Sequence, residues 1–213
     1  MVRYFDNAVI GYLNPEETKY EHRSPTHVIK FVVSGHLVVN EGGVNIHFRK
    51  GDYVFIRKNC TVELIKKAQG GEPYGAITLK LERGFLKDYF FKVKDTVMSG
   101  KPRRMRESFR KLEHTDGIDR IFEPLKKYLD PSEKPDSETV GRSMNEAVDY
   151  LLNIDESLYP TLFDFNEPWK IDIMAFMEEY YTRHMSLSEF ANYTGRSLAT
   201  FKRDFAKMND VTP

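Results

Sequence analysis

The chain has 213 residues, enough for one large domain or two small ones, and 40% hydrophobic and 13% aromatic residues supply a core. Its 32 Lys and Arg balance 32 Asp and Glu, so no global field draws nucleic acid, and any DNA contact must rest on a local patch. The single cysteine, Cys60, excludes an internal disulfide, no Cys/His cluster has zinc-site spacing, and no run approaches the ~20 apolar residues of a membrane span. With no secretory signal at Met1–Asn7, a soluble cytoplasmic protein with no membrane partner is expected.

The first third reads as β structure. Val28 to Ser34 is an apolar, β-branched run typical of a buried strand. Strands at 37–39 and 44–48 flank Asn40-Glu-Gly-Gly43, a hairpin turn, and Val44, Ile46 and Phe48 share one face. Gly51-Asp52 turns into a strand at 53–56, and 61–65 and 76–81 supply two more. Short strands with Gly-rich turns point to a sandwich or small barrel. Ser34-Gly-His36 and the stretch from Arg49 to Ile56 resemble the turn region of cupin-like sensor domains.

Metal-binding cupins use a His-x-His pair, a nearby Glu and a later His. Here His22 and His27 are five apart, no His-x-His exists, and Val62 stands where the later His is expected. A catalytic site needs about three protein ligands. No metal, cofactor or enzymatic activity is therefore expected, and a cupin metalloenzyme is the remote alternative. His27 and His36 read as strand-end or turn residues with satisfied hydrogen bonds. A small-molecule effector is a candidate partner, because barrel mouths are common ligand sites. The candidate lining is His22, His27, Phe31, Tyr53 and Cys60, for each of which a core role is the competing reading.

The middle is helical. The stretch 84–93 fits a short helix or a strand equally, and the basic run 101–111 reads as a solvated face. Ile118, Ile121, Phe122, Leu125 and Leu129 have helical spacing; Lys134 to Glu138 reads as a linker and N-cap. Val140, Met144, Ala147, Val148, Leu151 and Leu152 form the apolar face of a second helix, and Pro160 interrupts the segment beyond it. These helices either fold back on the β domain or pair with a second copy, through Ile121, Leu125, Met144, Val148 and Leu151; both bury an apolar stripe.

At the C-terminal end, Pro168 suits the first turn of a helix with Ile171, Met174, Ala175 and Met177 on its buried face. Ser186-Leu-Ser-Glu189 forms a capping box, and Leu187, Phe190 and Ala191 share one face of a short helix. A turn at Gly195 and an N-cap at Ser197 open another helix with the stripe Leu198, Phe201, Phe205. Ala199, Lys202, Arg203 and Ala206 lie opposite. From 169 to 213 basic and acidic residues are six each, yet from Arg196 to Lys207 they are four against one, so positive charge gathers on the last helix.

The segments 186–191 and 195–205, with upstream similarity over 162–172, resemble the first helix-turn-helix of AraC-type transcriptional regulators. The resemblance implies an α+β chain: a cupin-like β-sandwich or barrel over 1–95, a helical linker and dimerisation segment over 96–166, and an all-α DNA-binding unit over 167–213. That unit holds only the first of the family's two motifs, so truncation after it is expected. The resemblance further implies a homodimer on double-stranded operator DNA. Base contacts then come from Ala199, Lys202 and Arg203, with Thr200, Arg196 and Ser197 beside the phosphates. The main alternative is a shortened dimerisation or interaction module without tight DNA binding.

Overall fold

The computed structural model describes residues 2–5, 7–13, 17–93, 103–165, 173, 177, 186–194 and 196–209. They form two compact units, Met1–Phe165 and Asn166–Pro213.

The first unit holds ten strands: β1 Val2–Phe5, β2 Ala8–Leu13, β3 Glu17–Arg23, β4 His27–Ser34, β5 His36–Glu41, β6 Val44–Arg49, β7 Tyr53–Ile56, β8 Thr61–Lys67, β9 Tyr74–Leu81 and β10 Phe109–Leu112. A six-stranded sheet runs β1-β2-β9-β4-β7-β10 and a four-stranded sheet runs β3-β8-β5-β6, all pairs antiparallel. Strand periodicity decides what lies between them. Val28, Val32, Val54, Ile56 and Ala76 from the large sheet meet Leu37, Val39, Phe48, Val62 and Leu64 from the small one. Along β6 only Phe48 is buried; Val44 and Ile46, on the same face by strand parity, are exposed.

Gly35 shows why the β4–β5 corner needs glycine. Its φ is +69°, and a Cβ there would stand 2.6 Å from the Lys67 carbonyl oxygen and 2.7 Å from Tyr74 Cα. The strands β1, β2, β3 and β10 carry too weak a pattern to be read from sequence. β10 falls at the end of the basic run and pairs with β7, so that Leu112 is buried opposite Tyr53.

The other face of the large sheet is covered by helices α1 Arg83–Val93, α2 Asp116–Lys126, α3 Ser137–Ile154 and α4 Leu158–Leu162. The ambiguous 84–93 stretch is helical, with Leu86 and Tyr89 buried. α2 starts at Thr115, whose side chain accepts the Ile118 amide, and buries Ile118, Ile121, Phe122 and Leu125. Pro124 leaves that helix short of an amide donor near its end, and the chain tightens into a 3₁₀ turn over Lys127–Leu129. Asp136 caps α3 by accepting from Thr139 N at 2.7 Å. Pro160 sits inside the first turn of α4, where its missing N–H costs nothing.

These helices join β4, β7 and β9 in one core: Ile29, Phe31, Tyr53, Phe55, Ile77 and Leu79 pack against Phe122, Leu125, Val148 and Leu151. Each such side chain, fully buried, contributes roughly 1.5–3 kcal/mol. Polar clamps add direction. Tyr53 Oη donates to Asp119 Oδ1 at 2.6 Å, Tyr89 donates to Asp149, and Arg110 pairs with Asp155.

In the second unit, α5 Leu187–Tyr193 and α6 Leu198–Asn209 bury Phe190, Ala191 and Phe201 with Ile173; Met177, Leu187 and Phe205 are partly buried beside them. Pro168, Ile171, Met174, Ala175 and Gly195 lie outside the described residues. None of the described helices is long and apolar enough to cross a membrane.

Candidate functional site

In the second unit, Ser186 precedes α5, and Phe190 N bonds back to Ser186 O at 3.0 Å. Thr194 closes that helix, its hydroxyl 2.8 Å from Phe190 O. Ser197 caps α6, with Thr200 N donating to its Oγ at 3.2 Å. Thr200 also shares a hydroxyl contact with Ser197 at 2.9 Å, so both hydroxyls serve the helix start. Ala199, Lys202 and Arg203 are exposed, one to four residues apart on α6, while Phe201 between them is buried.

Two residues depart from expectation. Leu198 is 37% exposed rather than part of the apolar stripe. Arg196, expected beside a phosphate, is buried: its Nε lies 3.2 Å from Asp204 Oδ2 and an Nη donates to Thr194 O at 2.9 Å. That guanidinium braces the inter-helix segment against α6, and its donors point inward. Arg203 by contrast keeps 64% of its side chain exposed, with only a loose 3.7 Å approach to Asp204.

The five ligand-pocket candidates do not converge, because the large sheet separates them. Phe31 and Tyr53 stack at 4.7 Å on its helix-facing side, against Phe122. His27 lies on that side too, stacked 5.6 Å from Phe55, and its Nδ1 accepts from Lys58 N at 3.1 Å. Burial, then the neighbouring Lys58 and Arg57 charges, pushes His27 down to about 3, so it stays neutral. Cys60 and His22 belong to the opposite side; Cys60 packs in the inter-sheet core and donates to the Arg57 carbonyl at 2.7 Å. Burial raises its thiol pKa, which leaves a packing role. His36 satisfies itself against His47, 3.0 Å between ring nitrogens. No group of three or more His, Cys, Asp or Glu side chains able to hold a metal occurs among the described residues.

Ile121, Leu125, Met144, Val148 and Leu151 are all at most 2% exposed, packed in the chain's own core. The outward faces of α2 and α3 instead border a groove of about 660 Å³, where Arg120, Lys127 and Arg142 alternate with Glu146 and Asp149.

One group of residues was missed by sequence reasoning. Lys30, inside the apolar run 28–34, is buried between the sheets, and its Nζ donates to Thr78 Oγ1 at 2.6 Å. Lys66 stands 4.6 Å from the Tyr20 ring centroid and 5.6 Å from that of Tyr74. The overlooked signal was a lysine in the middle of a strand that is otherwise buried.

The profile of the ExsA N-terminal regulatory domain matches residues 27–146, more than half of the chain. The chain belongs to this family. The ExsA-type span runs from the first residue of β4 into α3, taking in the inter-sheet core, α1, α2 and the first part of α3. It is the regulatory domain of AraC-family activators. No curated protein matches the chain. Among solved structures, apo ToxT K231A from Vibrio cholerae aligns with a TM-score of 0.54 at 10% identity, covering 98% of this chain and 77% of that one. That likeness shows a shared fold. Another ToxT structure from Vibrio cholerae aligns at 0.49 and 10% identity, covering 92% and 76%. A third, with an unsaturated fatty acid bound, aligns at 0.43 and 13% identity, covering 97% and 92%.

Proposed function

We propose that the chain is a sequence-specific, DNA-binding transcription regulator of the AraC type, working as a homodimer in the cytoplasm and answering to a small-molecule effector. On this reading it divides into a cupin-like sensor over 1–95, a helical dimerisation segment over 96–166 and a helix-turn-helix unit over 167–213. The observation that carries it is the split of α6 into a buried Phe201 side and an exposed side bearing Ala199, Lys202 and Arg203, in a chain of the ExsA regulatory family. Small and basic residues on one exposed helix face suit the major groove: Ala199 allows close approach, while Lys202 and Arg203 reach guanine edges. Ser197 and Thr200 stand at the helix start, beside the phosphates in such a docking. Two half-sites bind far better than one, which favours a dimer. With Ile121, Leu125, Met144, Val148 and Leu151 committed to the core, pairing through this segment would use the outward faces of α2 and α3. The effector and operator are linked: each raises affinity for the other by the same factor.

Selection from a random-sequence duplex library with the full chain tests this reading. An enriched motif that Lys202→Ala and Arg203→Ala lose or relax is the expected result. Equal binding to enriched and scrambled duplexes would overturn it.

A second reading is favoured by the six-to-six charge balance over 169–213. In it the chain is an interaction module without tight DNA binding. Weak, salt-sensitive DNA binding alongside tight self-association selects that reading.

A further inference from the structure

We propose that His36 and His47, on the outer face of the small sheet, chelate one divalent transition-metal ion of the Cu²⁺ or Ni²⁺ class. The site goes beyond the regulator reading and does not depend on it.

Strand parity and register build the site. On β5 and β6 the side chains of Leu37, Val39 and Phe48 point into the inter-sheet core. By alternation His36 and His47 stand on the opposite, solvent side of the same hairpin. Val38 pairs with His47 and His36 pairs with Arg49, so the two imidazoles are diagonal neighbours. The two-residue turn at Gly42 and Gly43, with φ of +59° and +86°, pins that register. Leu37 and Phe48, next in sequence to the two histidines, are 0% exposed and anchor the backbone. The pair therefore sits on paired strands rather than on a loop, which holds its spacing.

The spacing fits a metal. The rings lie 18° from parallel with centroids 5.0 Å apart, and His47 Nδ1 is 3.0 Å from His36 Nε2. At metal–nitrogen distances of about 2.0–2.1 Å, two imidazoles bound at about 90–110° have their nitrogens about 2.9–3.4 Å apart. The observed separation lies at the right-angle end of that range, the cis geometry of a tetragonal or octahedral ion rather than of tetrahedral zinc. In the metal-free pair one imidazole donates to the other. Chelation needs both of these nitrogens bare, which moves the ring protons to His36 Nδ1 and His47 Nε2, where water accepts them. Small turns about χ2, a broad torsion, bring both lone pairs onto one ion.

The surrounding charges set the strength. Arg49 and Lys67 flank His36 across the strands. Desolvation first, then His47, Arg49 and Lys67, lowers the His36 pKa, so it offers a neutral ligand at neutral pH. The same cations oppose a metal ion, but Glu17 pairs with Lys67 at 2.8 Å and both side chains stand in solvent, where screening is strong. No group of three or more His, Cys, Asp or Glu able to hold a metal occurs among the described residues, so water completes the coordination of a two-point chelate.

Calorimetry of the full chain with Cu²⁺ alone and with Ni²⁺ alone tests the site. One ion per chain is expected, Cu²⁺ tighter than Ni²⁺, with two nitrogen ligands in the copper resonance. His36→Gln and His47→Gln should each weaken binding at least roughly tenfold, because losing one arm removes the effective concentration that chelation provides. His114→Gln, at the exposed histidine beside Asp119, should leave binding unchanged. Wild-type affinity in the double variant His36→Gln/His47→Gln, or no stoichiometric ion in the wild type, overturns the proposal. Should a variant melt below the wild type, NMR of the wild type decides. Substoichiometric Cu²⁺ broadens the His36 and His47 ring signals first if the site exists, and other signals first if it does not.

Discussion

The guanidinium of Arg196 reaches across eight residues to Asp204, joining the segment before α6 to the middle of that helix at 3.2 Å. Both arginines near the exposed face of α6 are basic in sequence, but only Arg203 is free to meet solvent, since Arg196 also bonds the Thr194 carbonyl. The pair gives opposite predictions for the two residues. Arg196→Ala should cost about 3–5 kcal/mol of stability in the second unit, because it removes the donor to the Thr194 carbonyl and leaves Asp204 only the loose approach of Arg203. Arg203→Ala should leave the melt within about 0.5 kcal/mol of wild type and cost about 1–3 kcal/mol of affinity on the cognate duplex. Thermal melts and anisotropy titrations of both variants check this; equal melts for the two would remove the bracing role.

Tyr53 Oη donates to Asp119, tying α2 to β7 over the aromatic stack of Phe31 and Phe122. Tyr53→Phe should cost about 1.5–3 kcal/mol, the range for a hydrogen bond to a charged group, while Phe122→Ala should cost about 3–5 kcal/mol by opening a cavity. Urea denaturation measures both. A Tyr53→Phe chain as stable as wild type would mean the helix is held by packing alone.

Alkaline pH should unfold the first unit. Burial first, then hydrogen bonding to Asp119 and Asp149, raises Tyr53 and Tyr89, and burial raises Tyr20 to about 12 and Tyr74 further. A raised phenol binds its proton more tightly in the folded state, so its contribution is complete below the ordinary value of 10.0 and is lost as pH climbs above it. The midpoint of urea unfolding should therefore fall progressively beyond pH 10; a flat profile to pH 12 would contradict the burial of these rings.

Acid acts through the histidines with the opposite sign. His27 and His22 stay neutral in the folded state down to about 3 and about 4, while in the unfolded chain they protonate near 6.5. Below 6.5 the unfolded state binds more protons, so stability declines as pH drops toward those folded values. His27→Phe should lower the baseline, since Lys58 N loses its acceptor, yet flatten the slope between pH 6.5 and pH 4. An unchanged slope would remove His27 as a source of acid sensitivity.

Gly35→Ala should be among the most damaging single changes in the β domain. It meets a backbone carbonyl at 2.6 Å and a left-handed φ together, neither of which a rotamer change relieves. The backbone strain alone is worth about 1–3 kcal/mol, and circular dichroism melts would register it; a wild-type melt would show that the corner rearranges.

Sequence alone determined the local features whose cause is local. The β-branched run at β4, the Gly-Gly hairpin between β5 and β6, the cap at Asp136 and the i, i+3, i+4 stripes of α2 and α3 are set by propensity and spacing within a few residues. The capped helix pair near the C-terminus was legible for the same reason. What the tertiary structure decided is which side of a surface each residue meets. His22, His27, Phe31, Tyr53 and Cys60 look alike as β-domain residues, but the large sheet sorts them into two cores by strand parity and pairing register. The apolar faces of α2 and α3 could have met a second chain; long-range packing gives them to β4, β7 and β9 instead. β10 emerged from a basic run because a sheet edge needs backbone partners more than side-chain pattern. Lys30 becomes chemically distinctive only when the second sheet closes over it, since desolvation and its like-charged neighbours come from residues far away in the chain.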